Sequence, residues 1–299
     1  MKKLLIFCAM LGVVSGAMAQ ELTPRAYWPA PQGTQVLTVG IVHTDGDIVP
    51  DPSLPLTGID SSITSGVLGY LNTLDLFGRT AFIILEQAYS NGETNARVGD
   101  IGELQRDYQG RGDFAATLAV NLMGAPTMNR EEFAELRRNP RPILGASVKV
   151  VAPTGEYEKD RVVNVGGNRW AAKFELGYVT VLKPKWLLEV EAGVWVFDDN
   201  DDFLGMTRKQ GSIKSLELHL VRRFSPGFWA SLDVNGYRGG QSSVGGQRRN
   251  DLQRDSKLGA TLVFPIARKH AVKVAYSTGS INNSDEDFNL YQVSYQRLF

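Results

Sequence analysis

Apolar residues occupy alternate positions over successive stretches of about ten residues along most of this chain, the period of a strand with one apolar and one polar face. In the clearest stretch Trp186, Leu188, Val190, Ala192, Val194 and Val196 share one face, while Lys185, Leu187, Glu189, Glu191, Gly193 and Trp195 take the other. Just upstream, Trp170, Ala172, Phe174, Leu176 and Tyr178 oppose Arg169, Lys173, Glu175 and Gly177. Only Lys183-Pro184-Lys185 joins these two strands, as a tight hairpin requires. The same alternation marks strands at Leu37-Val39-Ile41, at Phe114 to Leu122, at Leu144 to Val150 and at Leu216 to Leu220. It continues at Phe228 to Val234, Leu258 to Phe264, Val272 to Tyr276 and Tyr291 to Phe299. The series Ile63, Ser65, Val67, Gly69, Leu71 is a weaker second strand, and Thr80 to Tyr89 is a third whose facing is ambiguous. The count is about twelve, an even number, as single-chain bacterial outer-membrane barrels require.

Connection lengths alternate along the chain. Those around Thr73–Phe77, Lys183-Pro184, Ser225-Pro226-Gly227 and Ala267-Arg268-Lys269 are short, whereas Asp45–Ser61, Ser90–Gly112, Asp198–Gly211 and Arg238–Ser256 are long and polar. One connection breaks the parity: Gly124 to Pro142 falls where a short turn belongs, and Arg130 to Arg137 within it reads as a brief helix. A soluble sandwich has no reason to keep such parity. The expected fold is all-β, an antiparallel transmembrane β-barrel of about twelve strands with short periplasmic turns and long outer loops.

The N-terminus supports this placement. Met1-Lys2-Lys3, the short apolar run Leu4 to Val14 and Ala17-Met18-Ala19 read as a signal peptide over residues 1–19, with Gln20 as the first mature residue. Cys8 leaves with it, so the mature chain carries no disulfide, thiol nucleophile or thiolate metal site. Without Lys2 and Lys3, 30 Lys and Arg face 32 Asp and Glu, and such near-neutrality argues against a nucleic-acid partner. No other run approaches the ~18 consecutive apolar residues of a membrane helix. The remaining chain divides into a segment at 20–33, rich in proline and aromatics, and a barrel at 34–299. Within the former, Glu21–Gly33 is placed to fold into the periplasmic mouth or lumen as a plug.

In a barrel the polar faces acquire a direction. A charge facing the bilayer centre costs about 2–4 kcal/mol, so Lys149, Arg169, Lys173, Glu175, Glu189 and Glu191 are expected to line the lumen, together with Glu217, Asp233, Lys257 and Lys273. The mixed signs imply ion pairs, either stiffening a narrow barrel or taking part in permeation. Tyr27, Trp28, Trp170, Trp186, Trp229, Tyr276 and Phe299 lie near predicted strand ends, where aromatic girdles sit.

Chemistry beyond this is sparse. The run Asp198-Asp199-Asn200-Asp201-Asp202 offers hard oxygen ligands but lacks the glycine and terminal Glu of an EF-hand, and pairing with Arg208 and Lys209 is the simpler reading. His43-Thr44-Asp45-Gly46-Asp47 sets an imidazole beside carboxylates at a barrel rim without a second acidic pair. His219 points inward and His270 lies at a turn, so neither supports an outward serine–histidine dyad. Three histidines scattered singly show no metal-ligand spacing. No catalytic residue, metal or cofactor is expected from these patterns. At the other end, Tyr291, Val293, Tyr295 and Phe299 share a lipid-facing side, with Gln292, Ser294 and Gln296 opposite. The segment resembles the closing strand of outer-membrane barrels, the signal read by the barrel assembly machinery.

Several longer runs resemble one family. They include Arg25-Ala26-Tyr27-Trp28-Pro29-Ala30-Pro31, Leu76-Phe77-Gly78-Arg79, Val150 to Tyr157, Asn168-Arg169-Trp170-Ala171, Gly193 to Phe203, Pro226 to Asp233 and Ala275 to Gly279. The family is the outer-membrane "putative meta-pathway of phenol degradation" family, whose members are described as transporter-like. The resemblance implies a barrel for uptake of small hydrophobic or aromatic molecules and carries no catalytic residues. Its partners would be outer-membrane lipid and lipopolysaccharide, the assembly machinery and a small solute. The alternatives are a structural or adhesive barrel with an occluded lumen and, from the enzyme class, a barrel hydrolase.

Overall fold

The structure is a computed structural model and describes residues 22–47, 59–97, 103–279 and 287–299. The expected signal peptide, and residues 48–58 and 98–102 of two predicted loops, lie outside the described residues.

Alternating β-branched, aromatic and leucine side chains produce strands whose two faces meet different surroundings. In chain order these are β1 (Gln35–Gly46), β2 (Ile59–Leu76), β3 (Arg79–Arg97), β4 (Glu103–Arg111), β5 (Phe114–Met123), β6 (Ile143–Ala152), β7 (Ala171–Lys183) and β8 (Trp186–Phe197). Then follow β9 (Asn200–Phe203), β10 (Met206–Gln210), β11 (Ile213–Ser225), β12 (Phe228–Gly239), β13 (Ser242–Val244), β14 (Gln247–Arg248), β15 (Gln253–Ala267), β16 (His270–Gly279) and β17 (Phe288–Leu298). One helix, α1 (Arg130–Arg138), lies between β5 and β6.

All barrel neighbours pair antiparallel, and β1 pairs β17 from Val36↔Leu298 to Gly46↔Phe288, which joins the two ends of the sheet. The result is a closed barrel of 12 strands, with β4 and β5 acting as one strand along β3. A bulge at Gly112–Asp113 separates those two pieces; Gln87 donates to the Gly112 carbonyl at 2.7 Å and repairs the interrupted ladder. Closure leaves the barrel wall without a free sheet edge among the described residues, the condition for crossing a bilayer with strands. The outer surface is a belt of exposed apolar side chains, among them Ile41, Leu176, Leu216, Leu232 and Val293. A belt this continuous is unsustainable in water. The protein is an outer-membrane barrel.

The inner faces follow the sequence parity except on β2. Ile63, Val67 and Leu71, the series that marks that strand, face the interior, while Leu68 is on the outer surface. The interior is apolar at both ends of β2: Leu71 packs in one cluster with Trp28 and Val36, and Ile63 in another with Tyr108 and Phe288. The predicted loops Ser90–Gly112, Asp198–Gly211 and Arg238–Ser256 are in large part paired strand. β3 and β4 extend as a ribbon, and β9–β10 and β13–β14 join in a separate four-stranded sheet outside the barrel wall. Polar residues in water need backbone pairing but no apolar face, so alternation does not reveal such ribbons.

On the short-turn side, α1 starts with a capping box: the Asn129 side chain accepts from the Glu131 and Glu132 backbone, and Glu132 accepts from Asn129 N. Acidic residues in its first turn and Arg137 and Arg138 in its last suit the helix dipole. It buries Phe133 and Leu136 toward Trp28.

Candidate functional site

The N-terminal segment runs into the barrel. Tyr27 and Trp28 are buried in a cluster with Phe82, Phe133, Leu187 and Trp229 at the short-turn end. Tyr27 fits a slot left by two glycines: Gly145 and Gly177 are cross-strand partners, and a Cβ on either would lie 2.1 Å from the tyrosine ring. Its hydroxyl donates to Glu175 Oε1 at 3.0 Å and shares a second hydrogen bond with Ser147 Oγ. Arg25 takes a positive φ of 72°, and its backbone N donates to Glu189 Oε2 at 2.6 Å. Its guanidinium lies over the rings of Trp28 and Trp229, both 5.1 Å to centroid. Outside, Gln32 N donates to Met128 O and Gly33 N to Thr73 O, fastening the segment to the rim.

Tyr27, Trp28 and Trp229 therefore do not form an aromatic girdle. Trp229 lies on the inward parity of β12, and the other two belong to no strand, so both find the interior. Trp170, Tyr276 and Phe299 are exposed on the outer surface.

The ten charged residues expected in the lumen are all buried. Lys149 pairs with Glu86 at 2.9 Å, and Lys173 bridges Glu175 (2.5 Å) and Glu217 (3.2 Å). Glu189, Glu191, Glu217 and Asp233 meet around His219, which comes from the centre of β11. Arg169 stands higher, its guanidinium 4.6 Å over the Phe197 ring and bonded to Gln210 Oε1. Lys257 lies 4.9 Å from the Phe288 ring, and Lys273 is buried on the inner face of β16. A cavity of about 60 Å³ sits between Tyr27, Ser147, Lys149, Lys173 and Glu175. That is room for water and far less than the ~150 Å³ that holds a benzene ring.

At the long-loop end the described residues form a second apolar cluster. The β6–β7 connection carries Val163 and Val165 into a cluster with Ile63, Tyr108, Phe203, Val244 and Phe288. Asp113 anchors this connection by accepting from Gly155 N (2.7 Å) and Gly167 N (2.8 Å). Asn200, within the acidic run, donates to Tyr157 Oη and Gly167 O, while Asp199 pairs with Lys209. That hydrogen bond raises the Lys209 ammonium above its usual range. On the outer rim His43 shares a hydrogen bond with Thr64 and approaches Asp45 at 3.7 Å.

Sequence reasoning missed Gly145, Ser147, Glu86 and Thr261 as interior groups that position others, and it put Gly177 on the inner face without seeing its role. Inward parity next to a charged neighbour is a signal that could have found the glycines. His219 and its carboxylates carry none along the chain, because they meet across β8, β11 and β12.

Solved structures share this architecture, two of them as follows. An outer-membrane channel from Pseudomonas putida F1 aligns with TM-score 0.74 and 21% identity over 93% of this chain and 100% of its own. The β domain of a Bordetella autotransporter aligns with TM-score 0.52 and 11% identity over 90% of this chain and 100% of its own. Comparison with curated proteins returned no match. The family model described as "Putative MetA-pathway of phenol degradation" matches residues 44–295, and the chain belongs to that family of outer-membrane barrels.

Proposed function

We propose that this barrel is a channel or transporter for small aromatic molecules, closed in the present state by its own N-terminal segment. The observation that carries this reading is the seating of Tyr27: a chain segment held by hydrogen bonds and ring contacts in a slot of two glycines is a removable stopper. A wall that only had to be filled could be filled by its own side chains. The interior combines aromatic rings (Trp28, Trp195, Trp229) with charged groups, which suits an aromatic ring bearing a polar substituent. Membership of a family tied to phenol degradation, and the likeness to an outer-membrane channel from Pseudomonas putida F1, support the same reading.

Deleting residues 20–33 is expected to raise single-channel conductance in planar bilayers and to speed uptake of phenolic solutes into liposomes over that of sugars. Unchanged conductance would count against the stopper. A second reading, a structural or adhesive barrel with an occluded lumen, draws support from the apolar cap of Val163, Val165, Phe203 and Phe288 at the opposite end. It predicts no flux even after the deletion. A hydrolase gains nothing from the histidines: Ser231 Oγ donates to Asp233 Oδ2 at 3.0 Å and makes no bond to His219, so the Ser231–Asp233–His219 group lacks the order of a catalytic triad. For assembly, the outer face of β17, with Tyr291, Val293, Tyr295 and the adjoining Phe299, is the surface we assign to the assembly machinery.

A further inference from the structure

The middle of the barrel holds an arrangement that neither a plug nor a channel wall explains. Glu191 on β8 and Glu217 on β11 are direct cross-strand partners, a like-charge pairing that is destabilising by itself. His219, two residues along β11, turns Nε2 toward both, 3.6 Å from Glu217 Oε2 and 4.0 Å from Glu191 Oε2. All three ligand atoms lie within 4.8 Å of one another. Both oxygens of Glu191 (1% exposed), Oε2 of Glu217 (1%) and Nε2 of His219 (0%) make no hydrogen bond.

The far side of the imidazole is held firmly. Nδ1 bonds Asp233 Oδ1 at 2.8 Å, and Asp233 Oδ2 accepts from Ser231 Oγ at 3.0 Å and Thr261 Oγ1 at 3.1 Å. A carboxylate that takes the Nδ1 proton fixes the tautomer, so the Nε2 lone pair points at the two glutamates. In that neutral tautomer three acceptors face one point. Glu217 has Lys173 on its other oxygen, which leaves the inner oxygens uncompensated. Buried carboxylates in this state are neutralised by protons or by a cation, and a metal ion is the arrangement that satisfies all three ligand atoms at once.

We propose that His219 Nε2, Glu191 and Glu217 bind a divalent first-row transition-metal ion of the zinc class inside the barrel. One imidazole with two carboxylates is a donor set for such ions and a poor one for calcium or magnesium, which take oxygen ligands. Metal–ligand bonds of ~2.0–2.1 Å in tetrahedral array place ligand atoms ~3.3 Å apart. The gaps of 3.6 and 4.0 Å to Nε2 close to that with shifts of about 0.3 and 0.7 Å, and the gap between the two carboxylates, within 4.8 Å, with a side-chain adjustment of about 1.5 Å at most. Asp233 serves as the positioning residue, and the fourth ligand position is open to water or solute. The site is independent of whether the N-terminal segment moves.

The test uses the full mature chain, folded in detergent with Zn²⁺ present and then dialysed, with metal counted by elemental analysis. The expected result is one Zn²⁺ per chain, retained against a large excess of Ca²⁺, with an X-ray absorption edge showing an imidazole ligand. H219Q and E191Q should each lower retained zinc at least tenfold, while D199N in the outer loop leaves it unchanged. Folding of each variant is checked by heat-modifiable gel migration; if H219Q does not fold, the near-isosteric E191Q decides. No retained zinc in the wild type, equal retention by E191Q, or displacement by Ca²⁺ overturns the proposal.

Discussion

At the scale of single residues, the interior is governed by what fits beside Tyr27. Gly177 has space for hydrogen only, because a Cβ there would lie 2.1 Å from the Tyr27 ring against a ladder that cannot yield. G177A is expected to expel the ring, costing about 1–3 kcal/mol of the segment's docking. Trypsin should then cleave after Arg25, which is buried in the parent, and the rate of that cleavage on gels is the measurement. The burial of the charged positions, though not any role in a solute path, was legible in the sequence, since a lysine or glutamate between lipid-facing residues has one place to go. The partner each one finds was not. Lys149 meets Glu86 across an intervening strand, and Glu86 lies in the stretch whose facing alternation left ambiguous.

At the scale of elements, α1 shows how a local signal and a tertiary one cooperate. Its charge pattern and caps are visible along the chain, but its role as the floor beneath Trp28 depends on Phe133 and Leu136 docking into the barrel mouth. N129A removes both capping bonds and should cost about 1 kcal/mol, measured as faster amide exchange in the first turn of α1. At the other end, hydrogen bonds from Arg138 (2.6 Å) and Asn139 (2.5 Å) hold the Glu135 carboxyl below its usual 4.5. A lowered carboxylate pKa stabilises the folded state above the ordinary value, and that contribution is lost as pH falls through the lowered one. Amide exchange in the last turn should therefore rise below about pH 4.5 in the parent and show no such step in E135Q. The outer ribbons taught the opposite lesson: β9–β10 and β13–β14 looked like loops because they are short and mostly polar with no alternation, yet they pair with each other and turn Phe203 and Val244 into an apolar cluster.

At the scale of the whole molecule, the barrel is a wall with an apolar outside, a charged middle and two apolar caps. The outside is the part that lipid enforces. Leu232, 61% exposed near the middle of β12, is set against the bilayer, and L232R should cost about 2–4 kcal/mol. The readout is the urea midpoint of folded, heat-modifiable protein in lipid, with an arginine at a loop position such as Ser243 as control. The amino-acid sequence by itself determined a count of about twelve strands, the faces of most of them and the sidedness of the connections, because a period of two and a bilayer's intolerance of charge are local constraints; it pointed to the family only through longer runs of residues that resemble it. Only the tertiary structure decided how Tyr27 and Trp28 seat inside the barrel, that the β6–β7 connection joins an apolar cluster at the other end, and that His219 faces Glu191 and Glu217. Those arrangements depend on cross-strand register and on which side chains leave a gap, and neither is written in the spacing along a single strand.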